Sequence, residues 1–113
     1  MSIDTRSQVL VAQEALRSKK GEQIKVLDVS GISPVTDYYI IVTGNSTPHL
    51  KALAEEVEKE LDRAGIRCYR RAGTPESGWI VEDYLDFVVH IFSPDMREYY
   101  QLERLWSDGK VIL

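Results

Sequence analysis

The chain of 113 residues has one cysteine, four prolines, two histidines and no excess of positive charge, and each scarcity removes a class of function. A single cysteine cannot close an internal disulfide. With only two histidines beside it there is no cluster to make a closed four-ligand zinc site, and the natural setting is reducing and cytoplasmic. The longest uninterrupted apolar run, Tyr38 to Val42, falls far short of the roughly 20 residues that cross a bilayer. The opening residues 1–6 lack a basic stretch followed by an apolar one, so no signal peptide is expected. A net charge of -4 argues against a protein whose main task is to grip phosphate backbones, which takes a basic surface. No repeat, low-complexity tract or linker-like stretch interrupts the sequence, and a two-domain enzyme does not fit the length. Residues 1–113 therefore read as one domain of ordinary composition, 43% hydrophobic and 28% charged.

What is present alternates between helical and extended patterns. Residues 2–19 carry Val9, Ala12 and Leu16 at helical spacing, with Lys19, Lys20 and Gly21 suited to the C-terminus. A β-rich run over residues 24–29 and the continuous apolar run of residues 38–43 follow; the second suits a central strand covered on both faces. In the next helix Thr47 is the expected cap and Pro48 the first residue. Leu50, Leu53, Ala54, Val57, Leu61 and Ala64 line one face, while Glu55, Glu56, Glu58, Glu60 and Asp62 make a solvated acidic one. Residues 66–70 read as a strand and residues 73–78 as a loop. Residues 79–82 and 87–92 are two strands joined in a hairpin through residues 83–86. A last helix opens at Ser93-Pro94, with Met96, Tyr99, Leu102 and Trp106 on one stripe, and Gly109 ends it. The order α-β-β-α-β-β-β-α predicts an α/β fold, a mixed five-stranded sheet flanked by helices.

Few residues offer chemistry. Gly44-Asn45-Ser46 joins a strand to a capped helix, where free backbone N–H groups favour an anion, but neither a P-loop nor a dinucleotide fingerprint is present. A strand running through Gly-Asn-Ser into a helix resembles the start of the nucleotidyltransferase arrangement. That chemistry needs converging carboxylates to hold magnesium, and residues 66–70 contain none. Asp83 and Asp86 flank the hairpin turn, where Asp is favoured by its bonds to local backbone. A small nucleotide-binding enzyme built on the Gly44 turn and these aspartates is the alternative reading. His90 lies in an otherwise apolar strand and is expected to pack and hydrogen-bond. Cys68 is expected to act as a small buried hydrophobe.

The more unusual feature is aromatic. Trp79, Tyr84, Phe87, Phe92, Tyr99, Tyr100 and Trp106 are seven of the ten aromatic residues, interleaved with Asp83, Asp86, Arg97 and Arg104. Tyr99 and Trp106 are expected in the core. Trp, Tyr and Arg also dominate binding hot spots, so a hairpin with Tyr84-Leu85 at its tip and Trp79 at its root is a candidate protein-docking surface.

Residues 26–30, T-D-Y-Y-I-I-V-T-G-N-S at residues 36–46, residues 78–92 with W-I-V-E-D and V-V-H-I-F, and Y-Y-Q-L-E-R-L-W at residues 99–106 together resemble the ribosomal silencing factors, the Iojap or RsfS family. The resemblance runs through nearly the whole chain in order. It implies a non-enzymatic regulator of translation with no cofactor. Such a protein binds the large ribosomal subunit at its inter-subunit face, through large-subunit protein fourteen, and blocks joining of the small subunit when nutrients are scarce. It also implies a nucleotidyltransferase-like fold without the catalytic carboxylates, and a homodimer. The implied docking residues are Trp79 and Tyr84, with Asp83, Asp86 and His90 beside them; some relatives carry an aliphatic residue at the position of Tyr84.

Overall fold

The computed structural model describes residues 4–105 and 110–111. The elements are α1 (Thr5–Ser18), β1 (Glu22–Asp28), β2 (Tyr38–Thr43), α2 (Thr47–Arg63), β3 (Arg70–Thr74), β4 (Trp79–Asp83), β5 (Phe87–Phe92), α3 (Pro94–Tyr100), α4 (Leu102–Leu105) and β6 (Lys110–Val111). They build one sheet in the order β3-β4-β5-β2-β1-β6, antiparallel throughout except where β2 runs parallel to β5. The sheet is mixed, as expected. It has a sixth strand besides the anticipated five, the two-residue β6 paired with Leu27 and Asp28.

Helices α1 and α2 pack side by side on one face. Each starts where a side chain caps the free N–H groups of its first turn: the Asp4 carboxylate accepts from the Ser7 amide at 2.8 Å, and the Ser46 hydroxyl from the His49 amide at 3.2 Å. The cap of α2 is thus Ser46, one residue before the expected Thr47. Val9, Ala12 and Leu16 of α1 and Leu50, Leu53, Ala54, Val57 and Leu61 of α2 meet Val26, Ile40, Val42, Ile80, Val89 and Ile91 in the main core. Every residue of β5 is buried, which explains why it is apolar but for His90.

Two segments differ in secondary structure from the expected elements. The strand expected over residues 66–70 begins only at Arg70. Ile66 stays tied to the helix end through its amide bond to the Leu61 carbonyl, and pairing with β4 opens with the Tyr69 amide on the Asp83 carbonyl. Ile66 and Cys68 instead tuck against the core as a linking segment. Gly73 and Thr74, expected in a loop, extend β3. Secondly, the last helix is broken. Gln101 adopts the left-handed region at φ 48°, its amide closing on the Arg97 carbonyl, so α3 stops at Tyr100 and α4 restarts at Leu102. Tyr99, expected in the core, is 77% exposed. Trp106 and Gly109 lie outside the described residues.

Candidate protein-docking face

Alternation along the strands sends every second side chain to the face that α1 and α2 leave uncovered. Trp79, Val81 and Asp83 of β4 stand opposite Phe92, His90 and Val88 of β5, which in turn stand beside Thr43, Ile41 and Tyr39 of β2. Helix α3 covers one end of this face. Its anchor is Arg97, 7% exposed, which donates to the Thr43 hydroxyl at 2.8 Å and to the Glu103 carboxylate at 3.2 and 3.3 Å, binding α3 to both the sheet and α4. Held in this way, Tyr100 lies against Trp79 with ring centres 4.3 Å apart, and Tyr99 meets Tyr100 edge-on at 5.1 Å. Between Trp79, Val81, Met96, Tyr100, Ala72 and Gly73 is a cavity of about 320 Å³. Gly73, at φ +82°, makes this close approach possible: a Cβ there would run into the Trp79 carbonyl oxygen.

Trp79 is half-buried and stacks on Phe92 at 5.3 Å. Its Nε1–H donates to His90 Nδ1 at 3.1 Å. His90 sits between Tyr39 and Trp79, only 7% exposed, and burial pushes its pKa down to about 4, so the ring is neutral at physiological pH. Since Nδ1 accepts, the proton is on Nε2, which is buried without a partner. Asp83, at the other end of β4, accepts the Leu85 amide at 2.8 Å and lies 3.8 Å from Arg70. Asp86 is exposed in the turn, its carbonyl accepting the Asp37 amide.

Trp79, Asp83 and His90 therefore share one face, with Asp86 at the turn beyond its end. Tyr84 does not join them. It points to the helix side, 6% exposed, stacked on Phe87 at 4.9 Å with its hydroxyl toward Glu82. Of the two residues expected at the hairpin tip, only Leu85 is exposed. Parity was the missed signal: Trp79 and Tyr84 are an odd number of positions apart, and so fall on opposite faces of an extended chain. Val81 and Met96 also line this face, and Tyr100, one of the clustered aromatics, is brought onto Trp79 by α3; which of them meet depends on how α3 packs on the sheet, and no local pattern reports that.

The other candidate chemistry separates in space. The Gly44-Asn45-Ser46 turn follows the end of β2 where Thr43 pairs with Phe92, whereas Asp83 pairs with Val88 at the opposite end of the sheet, about 13 Å away at the usual rise per residue. The Asn45 amide is already bonded to His49 Nδ1 at 2.9 Å. Burial pushes the Cys68 thiol pKa up, away from a reactive thiolate. Among the described residues no three His, Cys, Asp or Glu side chains gather as a metal site, and no helix is long and apolar enough to cross a membrane.

A family model described as "Ribosomal silencing factor during starvation" matches residues 2–112. The chain belongs to the ribosomal silencing factor family. The Bacillus subtilis ribosomal silencing factor is 40% identical over 107 residues, which cover 95% of this chain and 91% of that one. The mouse mitochondrial assembly of ribosomal large subunit protein 1 is 32% identical over 95 residues, 81% of this chain and 42% of the mouse protein. In three dimensions the chain is similar to a crystal structure of a Chromobacterium violaceum protein, with a TM-score of 0.89, 34% identity, and coverage of 93% of this chain and 88% of that one. A member of the ribosomal silencing factor family thus carries its half-exposed aromatic cluster on the sheet face that its two long helices leave open.

Proposed function

We propose that this protein binds the large ribosomal subunit at its inter-subunit face, through large-subunit ribosomal protein fourteen, and blocks association with the small subunit by occupying the space. The observation that carries the reading is the Trp79, Tyr100 and Met96 cluster on the open face, with its apolar cavity and with Asp83 and Asp86 toward the hairpin end. Large aromatic side chains beside a cavity are the makings of an anchor, and acidic neighbours suit a basic ribosomal protein. The net charge of -4 steers encounter toward protein and away from bare RNA. Family membership and the mouse relative's named role in large-subunit assembly support the same partner.

In this reading the protein is a cytoplasmic translation regulator and not an enzyme, active under nutrient limitation, and it forms a homodimer. Its fold is nucleotidyltransferase-like without the catalytic carboxylates. Carboxylates at one end of the sheet and the Gly44 turn at the other are consistent with a scaffold kept for its shape. Co-sedimentation with separated ribosomal subunits tests the proposal. Wild type should pellet with large subunits and reduce their joining to small ones. Trp79→Ala, which truncates the anchor, should weaken binding roughly 30-fold while the protein stays folded. Unchanged pelleting of Trp79→Ala would remove the site from this face.

A further inference from the structure

We propose that His90 is a positioning residue for docking: it fixes the Trp79 indole in the orientation the partner meets, without touching the partner itself. The proposal rests on the docking face above.

Trp79 is only half-buried, so its ring plane must be set from below. Three contacts do this. Phe92 holds the ring by stacking and Tyr100 by a tilted contact at 4.3 Å, but ring contacts of this kind tolerate rotation and sliding of the indole. The bond from Nε1–H to His90 Nδ1 at 3.1 Å is directional and specifies one orientation. His90 is suited to that task. Its ring is pinned between Tyr39 at 5.4 Å and Trp79 at 5.9 Å, and it is nearly parallel to Phe92 at 5.9 Å. Its Nδ1 can accept only while the imidazole is neutral with the proton on Nε2, and burial among apolar neighbours keeps it so.

The arrangement also has a cost. Nε2–H is left buried with no acceptor, an arrangement that a residue serving packing alone would avoid by being apolar. The unpaired donor and the well-made Nδ1 bond occur on the same ring. The ring is therefore placed for what Nδ1 does to Trp79. At 7% exposure His90 has almost no surface to offer a partner directly.

Two substitutions separate positioning from packing. Asn at this site keeps an acceptor at nearly the place of Nδ1, two bonds from Cβ; Leu keeps apolar bulk and deletes the acceptor. In the free protein the chain's two tryptophans give two indole N–H resonances, and Trp79→Phe assigns the relevant one. His90→Leu should shift the Trp79 indole resonance toward a weaker hydrogen bond and speed its solvent exchange, whereas His90→Asn should leave both close to wild type. In the large-subunit pelleting assay His90→Leu should lose about 3- to 10-fold in affinity, the worth of one directional bond, and His90→Asn should stay within about 3-fold of wild type.

A His90→Leu indole resonance unchanged from wild type overturns the proposal, as does equal loss of binding in both variants, which would mark a packing role. If His90→Leu fails to fold, the indole exchange rate of His90→Asn decides, and free exchange in that variant overturns the proposal. Failure of wild type to pellet with large subunits would refute the docking reading, and the positioning proposal built on it, while the indole resonances still report whether His90 holds Trp79.

Discussion

Glu82→Gln is expected to make the protein more stable at neutral pH. Glu82 is wholly buried on β4, facing α2. Its Oε1 receives a long bond from the Tyr84 hydroxyl at 3.4 Å, and Oε2 has no hydrogen-bond partner. Arg71 does not compensate: its Nε is 4.0 Å from Glu82, while its guanidinium is bonded to Glu58 at 3.1 Å. Burial, with the neighbouring Glu58 adding to it, pushes the Glu82 pKa up from 4.5 to about 9, so the carboxyl is protonated in the folded protein at pH 7 and ionised once unfolded. For a carboxyl raised in the folded state, its contribution to stability is fully present below the unfolded pKa and is lost as pH rises toward the folded one. Between roughly pH 5 and pH 8 the loss approaches about 1.4 kcal/mol per pH unit, and by pH 7 it totals about 3 kcal/mol. Gln has the shape of the protonated acid and does not ionise. Urea denaturation of both proteins at pH 5, 6, 7 and 8 should therefore give a stability difference of about 1 kcal/mol at pH 5 that widens in favour of Glu82→Gln, reaching about 3 kcal/mol at pH 7. A variant less stable than wild type at pH 7, or a difference that does not grow with pH, would show that Glu82 is ionised and held by Arg71, and would refute the argument.

Tyr84→Ala should cost about 3 to 4 kcal/mol by urea denaturation, because it opens a cavity beside Phe87. Tyr84→Phe should bind large subunits like wild type; weakened binding by a fully folded Tyr84→Phe would return this residue to the docking surface. Gly73→Ala should destabilise the β3–β4 hairpin by about 2 kcal/mol or more, since the new Cβ meets the Trp79 carbonyl at a positive φ. Hydrogen exchange should show that loss as faster exchange of β3 and β4 amides, and unchanged protection would mean that the turn relaxes freely.

Much of the fold could be read from local pattern. The continuous run Tyr38 to Val42 and the periodic Leu50, Leu53, Val57 and Leu61 were sufficient because each encodes its own burial. β3 was misplaced because it is an exposed edge strand with no hydrophobic face, so its sequence carries no periodic signal, and apolar Ile66 and Cys68 drew the expectation upstream. Of the candidate face, Trp79 was found by residue type. That His90 stands across from Val81 and bonds Trp79 depends on strand register, which no local pattern reports. Tyr84 and Tyr99 exchanged their expected places: strand parity turns Tyr84 to the helix side, and Tyr99 projects from α3 to solvent.

The parallel pairing of β2 with β5 has a consequence for how the chain reaches this shape. Tyr38 pairs with Phe87, so α2 and the whole β3–β4 segment must be made before the centre of the sheet exists. During synthesis from the N-terminus, β2 waits with one hydrogen-bonding edge and both apolar faces incompletely covered. Such non-local closure is slow and leaves sticky intermediates. A nascent chain of this protein is therefore most vulnerable to misassociation in the interval between emergence of Thr43 and emergence of Phe92. Truncations ending inside that interval should collect as aggregates.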